Sequence, residues 1–412
     1  MTPAAVITGI GVVAPTGTGV REHWDNTLAG RSGIAPITSF DASGLPVAVA
    51  GQVTGFEETE WVDHRLIVQT DRWTWLAFAA SRLALDDAGL DLAGQNPLEL
   101  SVVTAGGSGG NAFGQREIQA LWQEGPRAVS AYQSIGWFYA ASSGQLSIRH
   151  QLKGACGVLV ADGAGGIDAV RQARRLLARG SAVVLTGGTE APLSPYALAC
   201  QSGQRGLSHG TDPDTAYRPF AADATGHVPG EGGAMLVLEP RERARERGAR
   251  MYAEVAGTAA THDAWHPEDP PPDPRQLERA VRESIARAGC TPDDIDVVFA
   301  DGAGAARADR LELDALRAVF GGRRVPVTVP KTMTGRLCSG GAALDLAWAA
   351  LAIDRGVLPP TVNVSADALG PGLDLVTEAR PADVRHALVV ARGVGGFNSA
   401  AVLRRPDPVG RR

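Results

Sequence analysis

Short β-branched runs that end in glycine recur along the chain: AVITGIG (5–11), LSVVTAGG (100–107), GVLVADG (157–163) and AVVLTGG (182–188). Between several of them lie stretches whose apolar residues fall three and four apart, the spacing of one helix face. In GGIDAVRQARRLLARG these are Ile167, Val170, Ala173 and Leu176–Leu177. Such alternation implies parallel strands covered by helices, a layered α/β arrangement. The pattern then repeats, with MYAEVAG (251–257), a helical LERAVRESIARAG (277–289), IDVVFADG (295–302), a helical stretch over 309–319 and RVPVTV (324–329). Each part closes on two apolar strands, AVVLTGG with GGAMLVLE (232–239), and ALVVARG with SAAVLRR (399–405). The pattern predicts two related halves, 1–250 and 251–412, whose sheets pack through shared central helices. HPEDPPPDPR (266–275) is the clearest loop, because its prolines cannot join a regular ladder.

At 412 residues the chain is longer than one hydrophobic core usually serves, which agrees with two halves. Apolar residues at 44% and charged residues at 20% exclude wholesale disorder. Lys+Arg 39 against Asp+Glu 45 gives a net charge of −6 without a basic block, so no nucleic-acid partner is expected. The 51 glycines lie between apolar runs without a fixed period, which excludes collagen-like and linker readings. Cys156, Cys200, Cys290 and Cys338 show no CxxC spacing. Neither a disulfide framework nor structural zinc is expected, which fits a cytoplasmic protein. MTPAAVITGIGVVAPTG has no basic segment before a long apolar run, so no signal peptide is expected, and no apolar stretch of about 18 residues suits a membrane.

Gly9 and Gly11 invite a dinucleotide loop, but Ala14 stands where a third glycine belongs and no acidic residue ends a clear second strand. A tight strand–turn is the simpler reading, and no cofactor is expected. LVADGAGGIDA is more informative, because a strand runs through Asp162–Gly163 directly into an amphipathic helix. α/β enzymes place nucleophiles at such turns, where free helix N–H groups face a developing negative charge. Gly163 has no side chain to attack with. None of the eight histidines lies in the later glycine turns 299–312 or 329–345, where a base is expected. His262 and His266 lack a nearby acidic ligand cluster, so no metal is expected. Asp309 and Glu312, i,i+3 at a helix start, fit dipole compensation more simply than paired acid–base work.

Over nearly its whole length the chain resembles the β-ketoacyl synthases of the thiolase superfamily. RPFAADATGHVPGEGGAMLVLE (218–239) is similar to the family's characteristic stretch, and VITGIGVVAPTG and GVGGFNSAAVL (393–403) match in order. The resemblance implies a thiolase-like α/β fold, two related halves with mixed five-stranded sheets in an αβαβα layered arrangement. Active members carry a cysteine in a TxCxSG-like turn and histidines in HGxGT and KxxxGH. Here those places fall on Gly163, on Asp301 in ADGAG and on Arg336 in KTMTGR. Lys331, Asp309 and Glu312 keep family residues, while Val394 replaces a phenylalanine. Decarboxylative condensation needs a thiolate and groups that stabilise an enolate and an oxyanion. Asp301 would repel an enolate, and Arg336 is a permanent cation. Cys156, in the strand before the turn, and Cys338, beyond the KTMTGR turn, are poorly placed to substitute. No catalytic residue, and no independent ketosynthase activity, is expected.

A ketosynthase fold without its triad resembles the chain length factor, or ketosynthase β subunit, of type II polyketide synthases. AYQSIGWFYAASSGQLSIRH (131–150) and GGNAFGQREIQALW (109–122) are similar to that subfamily's segments; Gly163 departs from the glutamine many members have there. The resemblance implies a heterodimer with an active ketosynthase α subunit, strands near Cys156–Val160 pairing across the interface. It also implies acyl carrier protein delivering malonyl and β-ketoacyl chains during antibiotic-type polyketide synthesis. Tunnel-lining positions carry over to Asn111, Gly114 and Ile118, on one helix face, with Tyr196 on a neighbouring wall. Their sizes imply a roomy tunnel and a long product. The alternative is a homodimeric ketosynthase-like acyltransferase or decarboxylase with Asp162 or Asp301 as base.

Overall fold

A computed structural model describes residues 3–407. The first part of the chain supplies β1 (Ala5–Ala14), β2 (Leu100–Ala105), β3 (Cys156–Leu159), β4 (Val183–Glu190) and β5 (Gly232–Pro240). The second supplies β6 (Ala253–His262), β7 (Val297–Phe299), β8 (Val325–Thr328), β9 (Leu373–Leu375), β10 (His386–Gly393) and β11 (Phe397–Arg404). The order β3-β2-β4-β5-β1 recurs as β8-β7-β10-β11-β6. In both sets two parallel pairings are followed by two antiparallel ones. β9 extends the second set beyond β8. The five-stranded sheets implied by the resemblance are not separate: Val6 pairs with Glu254 and Ile7 with Ala253. That contact joins β1 to β6, and among the described residues the joined sheet has twelve strands, including Gly17–Thr18 folded back on β1.

Helix composition decides which layer each helix occupies. The helices that matter here are α1 (Arg72–Asp87), α2 (Asn111–Glu124), α3 (Gly165–Ala178), α4 (Pro195–Ser202), α5 (Arg275–Arg287), α6 (Ala306–Phe320) and α7 (Ser339–Arg355). α5 buries only the stripe Leu277, Ala280, Val281, Ser284 and Ile285, so it covers β6 and β11 from outside. α1 covers β1 and β5 in the same way. α7, SGGAALDLAWAALAIDR, buries 14 of its 17 residues, which suits only a helix enclosed on all sides. It packs against α3 between the two strand sets, completing the αβαβα layering.

The α3–α7 contact is close enough to exclude a side chain. A Cβ at Gly166 would lie 2.3 Å from the Ala343 backbone nitrogen. The same two helices begin at the ends of the turns that carry Gly163 and Arg336, so their packing sets the distance between those residues. Among the described residues no helix is long and apolar enough to cross a membrane. Gly166→Ala is expected to cost about 3 kcal/mol, because backbone rather than a flexible side chain must give way. Chemical denaturation of the variant against the parent measures it.

Candidate functional site

Gly163, Asp301 and Arg336 lie far apart in the chain and meet where three strand ends converge. Gly163 sits in the turn between β3 and α3, Asp301 follows β7, and Arg336 lies between β8 and α7. The Arg336 guanidinium grips the Asp301 carboxylate with two hydrogen bonds, Nη1 to Oδ2 and Nη2 to Oδ1, each 3.0 Å. It also donates to the backbone oxygens of Asp301 at 3.2 Å and Arg392 at 3.1 Å. The Arg392 N–H donates to Asp301 Oδ1 at 3.0 Å. Burial pushes the Asp301 carboxyl up, but the charges of Arg336 and Lys331 and these hydrogen bonds override it and hold it below the ordinary carboxylate value. A Cβ at position 163 would lie 2.4 Å from the Arg392 carbonyl oxygen and 3.2 Å from Arg336 Nη2. The ion pair therefore stands against the glycine, and no room for a nucleophilic side chain is left.

Lys331, Glu312 and Asp309, expected from the resemblance to be retained, hold loops rather than face the cavity. Lys331 forms an ion pair with Asp345 at 2.7 Å and donates to the backbone oxygens of Ala300 and Asp301. Glu312 accepts the N–H groups of Asp301 and Gly302, at 2.7 and 2.9 Å. Asp309 accepts those of Phe220 and Gly304, at 2.8 and 3.0 Å. Burial pushes both carboxyls up, Glu312 to about 7 and Asp309 to about 6, with the Asp301 charge adding to the shift. Both are on α6, as the i,i+3 spacing implied, but their work is to tie down the turn after β7.

Beside the ion pair opens a cavity of about 640 Å³, bordered by Gly163, Asp301, Arg336, Cys338, His227 and Asn111 among others. Cys338 corrects the expectation drawn from its position in the sequence. The turn beyond Arg336 brings it into the cavity wall with φ at 46°. It is nevertheless no nucleophile: burial, then the carboxylates of Asp162 and Glu190, push its thiol well above the ordinary value. Cys156 is exposed on β3. His227 was not singled out from the sequence, although it lies inside the most characteristic stretch. Burial and the Arg336 charge hold its imidazole neutral, at about 3. The Asp162 carboxylate is committed to the Val394 N–H at 2.8 Å. Glu190, also in the wall, accepts the Gly107 N–H at 2.7 Å and the Ser108 hydroxyl. His262 and His266 accept backbone N–H groups in their own loop, and among the described residues no cluster suited to a metal occurs.

Of the carried-over tunnel positions, Asn111 lines the cavity, while Ile118 on α2 and Tyr196 on α4 are exposed and do not belong to its wall. Gly114 is buried, and the space beside it is filled by the Trp137 indole. Exposed apolar side chains include Ile118 and Trp122 on α2, Trp137, Phe138 and Tyr139, and Val160 directly after β3. β3 pairs with β2 on one side and has its other edge open among the described residues. An open, apolar strand edge beside exposed aromatics is the usual mark of a surface covered by a partner.

The family model described as "Beta-ketoacyl synthase, N-terminal domain" matches residues 3–244, and "Beta-ketoacyl synthase, C-terminal domain" matches residues 252–365. The chain is 52% identical over 403 residues to the tetracenomycin polyketide synthase ketoacyl synthase beta subunit of Streptomyces glaucescens, covering 97% of this chain and 98% of that protein. The ishigamide ketosynthase/chain length factor superposes with a TM-score of 0.90 at 29% identity, over 98% of this chain and 100% of that one. A type II PKS acyl-carrier protein in complex with its ketosynthase bound to the hexaketide gives a TM-score of 0.87 at 25% identity, over the same shares.

Two outcomes are expected from this geometry. Asp301→Leu alone leaves the Arg336 charge buried and should cost about 3–5 kcal/mol, whereas Asp301→Leu with Arg336→Met should recover most of that loss. Denaturant titrations of the parent, single and double variants measure the cycle. Burial raises the Glu190 carboxyl from 4.5 to about 7, so the folded chain keeps a proton that the unfolded chain releases. Its contribution is full below about pH 4.5 and fades as pH rises through about 7. Thermal midpoints across that range should therefore fall less steeply for Glu190→Gln than for the parent.

Proposed function

The chain belongs to the β-ketoacyl synthase family, and from that premise we propose that it acts as a chain length factor. In this role it performs no condensation. It pairs with an active ketosynthase α subunit and helps wall the tunnel in which a β-ketoacyl chain grows on acyl carrier protein. The observation that carries the reading is the Arg336–Asp301 pair set against Gly163. Condensation needs a thiolate to hold the acyl chain, and positive or neutral donors where enolate and oxyanion charge develops. This site offers no sulfur at 163, a carboxylate at 301 and a guanidinium already saturated by that carboxylate. The partner's thiolate does the chemistry, and this chain supplies shape.

The similarity to a ketoacyl synthase beta subunit, and to a ketosynthase/chain length factor and a ketosynthase–carrier complex, supports both partners. So does the open edge of β3 with its apolar surround, which offers main-chain groups for pairing across an interface. In the assembled pair Asn111, Gly114, Ile118 and Tyr196 belong to the tunnel side of that interface. The repeated strand order supports division into halves 1–250 and 251–412. The reading places the pair in the cytoplasm beside its carrier protein. The alternative, a homodimeric acyltransferase or decarboxylase, loses ground because both candidate bases are engaged: Asp162 by the Val394 N–H and Asp301 by Arg336.

Incubated alone with malonyl-charged acyl carrier protein, the purified chain should give no β-ketoacyl product, and Gly163→Cys should remain inactive. Co-expressed with the ketosynthase α subunit of the tetracenomycin synthase, it should co-purify as a heterodimer that elongates. Condensation by the lone chain, measured by mass spectrometry of the carrier protein, would contradict the reading.

A further inference from the structure

α2 carries three of the carried-over tunnel positions, and its first residue, Asn111, borders the cavity. Nothing at the start of the helix itself fixes where it begins. Its N-cap is Gly110, which offers no side-chain acceptor, and Gly109 before it turns at φ 67°. The acceptors arrive from two distant elements. Asp71 Oδ2 accepts the Phe113 N–H at 2.6 Å, one of the first-turn donors of the helix. On the other side of the two glycines, Glu190 accepts the N–H groups of Gly107 and Ser108, at 2.7 and 3.3 Å. Resting on the chain length factor reading, we propose that Asp71 is a positioning residue for the cavity wall. It caps α2 from outside and holds Asn111 in place, with Glu190 as the second anchor.

Asp71 occupies the N-cap place of α1, where an aspartate ordinarily accepts an N–H of its own helix. It makes no such bond, and its side chain reaches α2 instead, 42 residues along the chain. Glycine at 110 makes the approach possible, since a Cβ there would lie 2.9 Å from Asp71 Cβ and 1.9 Å from the Gly136 carbonyl oxygen. The carboxylate is 2% exposed and lies at the N-termini of both α1 and α2. These helices have 16 and 14 residues, and the dipole of each favours negative charge at that end. Burial pushes the carboxyl up to about 6; of the groups that act against burial, the Phe113 N–H comes first, ahead of the Arg116 charge on the same helix. Among the described residues Oδ1 finds no hydrogen-bond partner. A buried carboxylate whose one strong hydrogen bond goes to another helix fixes the relative position of the two helix starts.

The test compares Asp71→Ala with Asp71→Asn, whose amide oxygen still accepts an N–H. Amide exchange of the full chain, read by mass spectrometry, should quicken roughly five- to tenfold over 110–114 in Asp71→Ala and stay near the parent rate in Asp71→Asn. Exchange in β1 and β5 should change far less. Asp71→Ser guards against a variant that fails to fold: its hydroxyl can cap α1 but falls short of Phe113, so it should behave as Asp71→Ala does. In the heterodimer with the tetracenomycin ketosynthase α subunit, supplied with acyl carrier protein and malonyl thioester, Asp71→Ala should slow elongation several-fold with co-purification intact. Asp71→Asn should restore it. Unchanged exchange over 110–114, equal quickening in Asp71→Ala and Asp71→Asn, or quickened exchange with full elongation each overturn the inference and leave the chain length factor reading standing. A parent chain that neither pairs nor supports elongation overturns both.

Discussion

The buried contact between Arg336 and Asp301 is the constraint around which the site is arranged. Taking two charges out of water is expensive, and only good geometry with further hydrogen bonds offsets it. Here the guanidinium has a bidentate partner and two backbone oxygens, and the carboxylate has a second donor in the Arg392 N–H. Such a pair is poor evidence for added stability but strong evidence for a fixed shape. It occupies the volume beside Gly163, and a side chain at 163 would strike the same Arg392 carbonyl that Arg336 uses. The lack of a side chain at 163 and the presence of the ion pair are thus one packing solution.

What surrounds the pair is a frame of side chains committed to backbone groups. Lys331, Asp309 and Glu312 bind backbone groups of the turn that presents Asp301, and Asp309 also holds the Phe220 N–H. The central helices α3 and α7 meet so closely at Gly166 that the turns leading into them are held in register. A rigid cavity wall and an open strand edge are what a shape-giving subunit needs, and neither requires a reacting atom. Of the two thiols in the cavity wall, Cys200 and Cys338, that of Cys338 is pushed well above the ordinary value by burial and by nearby carboxylates.

Much of this could be read along the chain. The β-branched runs predict β1, β2 and β4, and the apolar spacing of GGIDAVRQARRLLARG predicts α3. Gly163, Asp301 and Arg336 stand out in the sequence as departures from the motifs that the chain resembles. Their mutual contact does not, because it depends on three strand ends separated by more than a hundred residues of chain between the first and second. The joining of the two strand sets at Val6 and Ile7 is hidden for a similar reason, since it involves only two residue pairs. Cys338 looks remote until the left-handed turn swings it into the cavity wall. His227 lies within the clearest motif, yet which way its ring faces is decided by the loop it ends in. The room expected at Gly114 is filled by a residue more than twenty positions away, which no local pattern reveals.

The central claim is that no acyl group is ever held covalently by this subunit. Intact-protein mass spectrometry of the heterodimer, quenched during turnover with charged acyl carrier protein, tests it most directly. The account expects acyl mass on the companion subunit and on carrier protein, with this chain at its unmodified mass throughout. A thioester-labile acyl adduct on this chain, formed and consumed at the rate of elongation, would contradict it.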